Sequence, residues 1–229
     1  MKDLIKIGIP SKGRLRQDVL KIFHRNKLKL ISERGERDLL GTVKTLPNVS
    51  VFYLHAREIV ERLGDGSLDC GFSGLDLLKE SEQNIQKKIN VIKKYKFGIA
   101  NLVIAIPDQW IDVQTIADLE EVAFEFKDKK KKQLRIASKY PRLTQQFLFS
   151  KGVTQFKLVH SMGSTEITPF TGSAEVISDI TSTGETLRAN NLRILKDGEI
   201  LKSMGCFMIS KLSLKNKNLK KMIKLFSKN

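Results

Sequence analysis

Cysteine is scarce: Cys70 and Cys206 are the only two in 229 residues, too few and too far apart for a disulfide framework. Each stands in an apolar, strand-like stretch, so both read as small buried thiols. Histidine is almost as rare, and His24, His55 and His160 lack the spacing of metal ligands, which excludes a structural zinc motif. No Gly-x-Ser-x-Gly elbow and no Cys/His pairing offers a covalent nucleophile. No apolar run approaches the ~18–20 residues of a membrane span. The longest, Phe97 to Pro107, is broken by Gly98 and Asn101 and reads as a buried strand. Lys2 and Lys6 interrupt the N-terminus and no small-residue cleavage site follows, so a secretory signal is not expected. These absences leave a soluble, cytoplasmic globular protein with no membrane partner.

Acidic residues are outnumbered, 25 against 41 basic ones, for a net charge of +16. Such a balance points to anionic partners without naming them. The lysines concentrate at Lys127–Lys132 and along the tail from Lys211 to Lys228. Neither run is interleaved with aromatics as single-strand binding requires, so nucleic acid is not the expected partner. In the tail, Leu214, Leu219, Met222, Ile223 and Phe226 fall near helical spacing, which predicts an amphipathic helix docked on the body. The Lys127 run reads as a solvated loop.

Alternating Ile5, Ile7 and Ile9 predict a strand ending at Pro10-Ser11-Lys12-Gly13, followed by a helix through Asn26. Strands are expected at 49–54, 68–72, 89–94, 99–106, 134–138, 156–160, 174–180, 192–195 and 206–209. Helices follow several of them, one opened by a Thr115/Asp118 capping box and one by Pro141. Strands alternating with helices argue for α/β architecture with mainly parallel sheet. Two small sheets facing a cleft are expected, with the chain crossing near residue 96 and returning near 190. Ligands in such folds bind on the loops beyond the carboxyl ends of strands.

The richest such loop runs Asp179-Ile180-Thr181-Ser182-Thr183-Gly184-Glu185-Thr186-Leu187. Gly184 lets backbone approach a ligand, and amides with the Ser182, Thr183 and Thr186 hydroxyls can converge on a phosphate. Asp179 at the strand end can accept from a ribose diol. A polar turn with a helix cap is the plainer reading of the same residues, and the Walker pattern is absent. Pro10-Ser11-Lys12-Gly13-Arg14 sets two cations around a glycine at a helix N-terminus, suited to a polyphosphate or simply a basic surface turn. Ser73-Gly74-Leu75-Asp76 holds the same position after another strand. His55 and Arg57 form a fourth candidate.

Together these loops resemble the ATP phosphoribosyltransferases of histidine biosynthesis. The family signature is met at Glu166, Gly172, Ala174, Ile177, Asp179, Ile180, Thr183, Gly184, Thr186 and Leu187 with every spacing kept. Segments 10–15, 71–76, 135–141 and 187–192 are similar as well, so the likeness covers most of residues 5–210. It implies a two-lobed α/β fold like that of type II periplasmic binding proteins, with the active site in the inter-lobe cleft. Lobe I would comprise 1–96 plus 190–229 and lobe II 97–189, with no C-terminal histidine-binding domain after Asn229. It implies that Glu166 and the loop Asp179, Thr181, Ser182, Thr183, Gly184, Glu185, Thr186, Leu187 hold 5-phosphoribosyl 1-pyrophosphate. Lys12, Gly13 and Arg14, with Ser73, Gly74 and Asp76, would serve ATP or pyrophosphate. Arg57, and Arg37 with Arg34 as its rival, would neutralise the departing pyrophosphate.

The resemblance further implies Mg2+ arriving with the substrate polyphosphates, no metal ligands in the chain, and a homodimer within a hetero-oligomer containing a histidyl-tRNA-synthetase-like regulatory subunit. In the implied reaction, adenine N1 of ATP attacks C1 of the phosphoribosyl group and expels pyrophosphate. A solute-binding protein of the same fold and a basic nucleic-acid-binding module rank below it. The first has no use for the hydroxyl-rich loop, and the second leaves the Glu166–Leu187 spacing unexplained.

Overall fold

The Ile5-Lys6-Ile7-Gly8-Ile9 alternation becomes strand β1 (Ile5–Pro10), with all three isoleucines fully buried. The computed structural model describes residues 4–31, 39–161 and 163–227. After β1 come α1 (Gly13–Arg25), β2 (Leu30–Ile31), β3 (Leu40–Val43), β4 (Leu46–Leu54), α2 (Ala56–Asp65), β5 (Cys70–Gly74), α3 (Leu75–Glu80), α4 (Gln83–Lys87) and β6 (Ile89–Lys94). Then follow β7 (Ala100–Pro107), α5 (Ile116–Asp128), β8 (Leu134–Ser138), α6 (Pro141–Ser150), β9 (Phe156–His160), β10 (Val176–Thr181), α7 (Glu185–Ala189) and β11 (Leu192–Ser203). The chain closes with β12 (Gly205–Ser210) and α8 (Leu219–Ser227).

These elements form two units, Met1–Ile99 with Met204–Asn229, and Ala100–Ser203. The return crossing falls at Ser203 rather than near residue 190, because the whole of β11 pairs with β7 of the second unit.

The first unit is built on a seven-stranded sheet in the order β2-β3-β4-β1-β5-β12-β6. Its core gathers Phe23 of α1, Phe72 of β5, Phe207 of β12 and Phe226 of α8, with Phe72, Phe207 and Phe226 ring centroids 5.0–5.1 Å apart. The tail therefore docks as an amphipathic helix: Leu219, Met222 and Phe226 are buried while Leu214 stays outside the stripe, half exposed. Burying one such side chain contributes about 1.5–3 kcal/mol.

The second unit carries a five-stranded sheet in the order β11-β7-β10-β8-β9. Its core packs Ile116, Leu119 and Ala123 of α5 and Leu148 of α6 onto Ile104, Ile106, Leu134, Ile136 and Val176. The capping box at Thr115 and Asp118 is formed, and Asp197 of β11 accepts from the Ile116 amide at 2.8 Å. Lys127 lies in the last turn of α5, which ends at Asp128, and 129–132 form an exposed turn.

The sheets are mixed rather than mainly parallel: among the described residues four of ten strand pairings are parallel. Strands β11 and β12 follow one another without a helical crossover, and both pair antiparallel to their neighbours. Among the described residues no helix is long and apolar enough to cross a membrane.

Candidate active site

In the second unit, β10 delivers Asp179 and Thr181 to a turn that enters α7 through Gly184. Gly184 sits in the left-handed region at φ +73°, which glycine adopts without strain, and a Cβ there would meet the Arg188 guanidinium at 2.9 Å. The loop's own hydroxyls set its curl. Thr181 Oγ1 accepts from the Gly184 amide at 2.9 Å, Thr183 Oγ1 accepts from Glu185 at 3.4 Å, and Arg188 donates to the Thr183 carbonyl at 3.1 Å. Leu187 is buried and pins α7, while Ser182, Thr183, Glu185 and Thr186 remain exposed. The result is a curled, hydroxyl-lined turn at the start of a helix, suited to a phosphate.

Behind the turn sits a carboxylate cluster. Asp179 is 7% exposed, accepts from the Ile180 amide at 2.8 Å and lies 3.7 Å from Lys139 Nζ. Burial raises its pKa above the usual carboxylate range, against the opposing pull of the Ile180 amide, Lys139 and the Thr165 hydroxyl, and the charge of Glu166 pushes it further up. Glu166 stands in a single 3-10 turn (Thr165–Ile167) whose Thr165 is fully buried and lies 3.0 Å from the Ser161 hydroxyl. The signature's first acid and its central aspartate are thus electrostatic neighbours.

Lys139 and Arg188 lie within segments similar to the family, yet sequence reasoning gave neither a role. The signal for Lys139 lies in register: Ser138 pairs with Ser178, so the next residue of each strand, Lys139 and Asp179, emerge together. Beneath them Thr144 Oγ1 lies 2.7 Å from both Ser178 Oγ and the Tyr140 carbonyl, and 3.2 Å from Ser138 Oγ. This buried hydroxyl chain fixes the ends of β8 and β10.

In the first unit, the β1–α1 loop presents Lys12, Gly13 and Arg14, all exposed. Gly13 adopts φ +81°, Lys12 is the N-cap of α1 without a side-chain cap, and no acid occupies the first turn. Uncapped amides at a helix N-terminus, with basic side chains beside them, favour an anion. Ser73 and Asp76 are buried at the end of β5 and the start of α3. Ser73 Oγ donates to the Ala56 carbonyl at 2.7 Å, tying β5 to the first turn of α2. Gly74 leaves room for the Asp76 carboxylate, which occupies the place of a Cβ. Arg57 is in that first turn of α2, its amide donating to His55 Nδ1 at 3.3 Å, and it lines a hollow of about 370 Å³ with Glu61, Glu80 and Glu82. Arg37 and Arg34 lie outside the described residues.

Neither cysteine is poised as a nucleophile. Both are free and buried; burial raises the Cys70 thiol well above its usual range and pushes Cys206 up to about 11.

A family model described as ATP phosphoribosyltransferase (HisG) matches residues 55–228. The ATP phosphoribosyltransferase of Nitrobacter winogradskyi is 43% identical over 211 residues, 92% of this chain, which spans 65% of that protein. That of Rhizobium etli is 43% identical over 205 residues, 89% of each chain. Among solved structures, the ATP phosphoribosyl transferase (HisG:HisZ) complex from Thermotoga maritima matches with a TM-score of 0.74 at 27% identity, covering 98% of this chain and 96% of that one. The arginine-bound ArgBP of T. maritima matches with a TM-score of 0.54 at 10% identity over 98% of this chain and 93% of its own, a likeness of fold alone. The α/β fold is that expected, of the type II periplasmic-binding-protein kind.

Proposed function

The chain belongs to the ATP phosphoribosyltransferase family, and we infer that it condenses ATP with 5-phosphoribosyl 1-pyrophosphate to N1-(5-phosphoribosyl)-ATP and pyrophosphate, the first step of histidine biosynthesis. One observation carries the reading to this chain's own residues. The signature from Glu166 to Leu187 folds as a unit, its two acids adjacent behind a turn that Thr181 closes on Gly184.

On this reading Glu166 and Asp179 accept from the ribose hydroxyls. The amides and hydroxyls of Thr181, Ser182, Thr183, Gly184, Glu185 and Thr186 take the 5-phosphate, with Leu187 anchoring the helix behind them. Adenine N1 carries a free lone pair, so its attack on C1 needs no base. A C1–N1 bond forms as the C1–O bond to pyrophosphate breaks, and the electron pair leaves with the pyrophosphate. The demanding step is charge building on that leaving group while C1 becomes cationic. Lys12, Gly13 and Arg14, the Ser73-Gly74-Asp76 turn and Arg57 are the groups proposed for ATP and pyrophosphate, with Arg37 or Arg34 as the second arginine.

A metal requirement is consistent with polyphosphate substrates. Mg2+ is read as part of the substrate complexes, and no step is assigned to it. A HisZ-like, histidyl-tRNA-synthetase-like regulatory subunit is proposed as partner, supported by the Thermotoga complex, with the chain as a homodimer inside that assembly. The cytoplasm is the proposed compartment, supported by two free buried thiols. The solute-binding alternative shares the fold but gains no support from 10% identity.

The test is mass-spectrometric detection of phosphoribosyl-ATP from ATP, phosphoribosyl pyrophosphate and Mg2+, with pyrophosphatase present, first with the chain alone and then with a HisZ-like subunit. Arg57→Ala should lower kcat by about 10²–10³-fold, the usual loss when one preorganised charge donor is removed, with a much smaller effect on ATP affinity. Absence of product in both mixtures would discard the reaction. An unchanged single-turnover rate in Arg57→Ala would remove that arginine from it.

A further inference from the structure

Arg16, in the first turn of α1, reaches back to the loop that precedes its own helix. Its Nη1 donates to the Ser11 carbonyl at 3.2 Å, and its guanidinium carbon lies 5.5 Å from the centre of the Tyr53 ring. Ser11 is held from its other side, its amide donating to the Leu54 carbonyl at 2.8 Å. Ser11 is thereby gripped between the end of β4 and a side chain lying on β4. Among the described residues, those after it have no such support: Lys12 makes no capping bond, and Gly13 takes φ +81° with nothing within 4 Å of where a Cβ would stand.

Arg16 also carries a burden. Among the described residues its buried Nε has no hydrogen-bond partner. A buried guanidinium N–H lacking an acceptor is destabilising, and packing against Tyr53 alone would be served better by an uncharged side chain of similar length. What arginine adds is a planar fork that can lie on a ring and still donate sideways. That combination is what the Ser11 carbonyl uses.

We propose that Arg16 is a positioning residue: it clamps Ser11 against β4 and so sets the place and direction of the uncapped α1 amides, Lys12 and Arg14 where they meet the substrate polyphosphate. The proposal rests on the reading of the β1–α1 loop as a polyphosphate loop. Arg16 acts through that loop and does not itself touch substrate.

The experiment measures kcat and KM for both substrates in the active assembly, and inorganic pyrophosphate binding by calorimetry, for Arg16→Met, Arg16→Lys and Lys12→Ala. Arg16→Met keeps the stem on Tyr53 and loses the donor. It should raise the KM of a polyphosphate substrate and the pyrophosphate Kd about tenfold, as expected for one charge-assisted bond, while kcat stays within about twofold. Arg16→Lys keeps the charge but not the fork, and should stay within about twofold of Arg16→Met. Wild-type KM in Arg16→Met would overturn the proposal, as would full rescue in Arg16→Lys, which would make the role one of charge alone. Should Arg16→Met fold poorly, Arg16→Lys decides by the same criterion. Lys12→Ala separates the two levels: wild-type pyrophosphate affinity in it would defeat the loop reading itself. Weakening in Lys12→Ala with none in Arg16→Met would defeat only the role of Arg16.

Discussion

The β10–α7 turn and the β1–α1 loop solve the same local problem differently. Each joins a strand to the N-terminus of a helix through a glycine in the left-handed region, Gly184 at φ +73° and Gly13 at φ +81°. Around Gly184 the turn is built from its own side chains: Thr181 holds the Gly184 amide, Arg188 holds the Thr183 carbonyl, and the space beside the glycine is filled. Around Gly13 the space is open, no side chain caps the helix, and the chemistry is cationic, with Lys12 and Arg14. The first is a preformed turn that offers hydroxyls and amides to the phosphate proposed for it. The second is an electrostatic handle whose geometry is borrowed from Arg16.

The comparison is put under most strain by substituting the two glycines. Gly184→Val forces a β-branched residue to positive φ and drives its Cβ into the Arg188 guanidinium. Affinity for phosphoribosyl pyrophosphate should fall at least about 100-fold, or about 2.7 kcal/mol. Gly13→Ala meets no neighbour and should cost only the positive-φ strain, about 1 kcal/mol of stability, with polyphosphate affinity changed a few-fold at most. Calorimetry with each ligand reads both. Equal losses at the two sites would erase the distinction between a built turn and an open one.

How much of this was legible beforehand follows from where the information lies. Ile5, Ile7 and Ile9, the Thr115/Asp118 cap, Pro141 and the tail stripe declare their elements through local periodicity and capping, and each formed close to its expected place. Strands β2 and β3 and helix α4 were not legible, being two to five residues long with no periodic stretch. Sheet direction was misread because alternating strands and helices suggest parallel crossovers, whereas β12 enters its sheet with no helix before it. In the site, the Glu166–Leu187 spacing marked which residues belong together. It could not show that Lys139 faces Asp179, since that pairing follows from the β8–β10 register, or that Arg16 lies on Tyr53.

A smaller effect is expected at Asp179, and its sign separates binding from folding. Burial raises the Asp179 pKa in the fold despite the Lys139 charge and the Ile180 amide. A raised carboxyl binds its proton more tightly folded than unfolded, so its contribution to stability is present below the ordinary aspartate range and is lost as pH rises through the raised value. Near neutrality the ionised carboxylate is therefore a net cost to the fold. Asp179→Asn should melt no lower than the parent there, with any advantage shrinking on acidification. The same change should lower phosphoribosyl pyrophosphate affinity about tenfold, by loss of a charge-assisted acceptor for the ribose hydroxyls. A variant that melts markedly lower near neutrality would show Asp179 to be structural, its carboxylate supporting β10 rather than substrate.

The smallest change is expected away from both loops, at the start of α5. Thr115 Oγ1 accepts from the Asp118 amide at 3.3 Å, while Asp118 accepts in return from the Thr115 and Gln114 amides at 2.7 and 2.8 Å. Removing the threonine hydroxyl breaks only its own part of this box. Asp118 still holds two amides, and Asp197 still holds that of Ile116 at 2.8 Å. Thr115→Ala should therefore cost about 1 kcal/mol or less, a fall of about 2–4 °C in melting temperature for a chain of this size. Because no hydroxyl or amide of the β10–α7 turn draws on that cap, affinity for phosphoribosyl pyrophosphate should not change. If it weakened in step with stability, the turn would depend on the unit's global stability, and its own hydrogen bonds would not suffice to preform it.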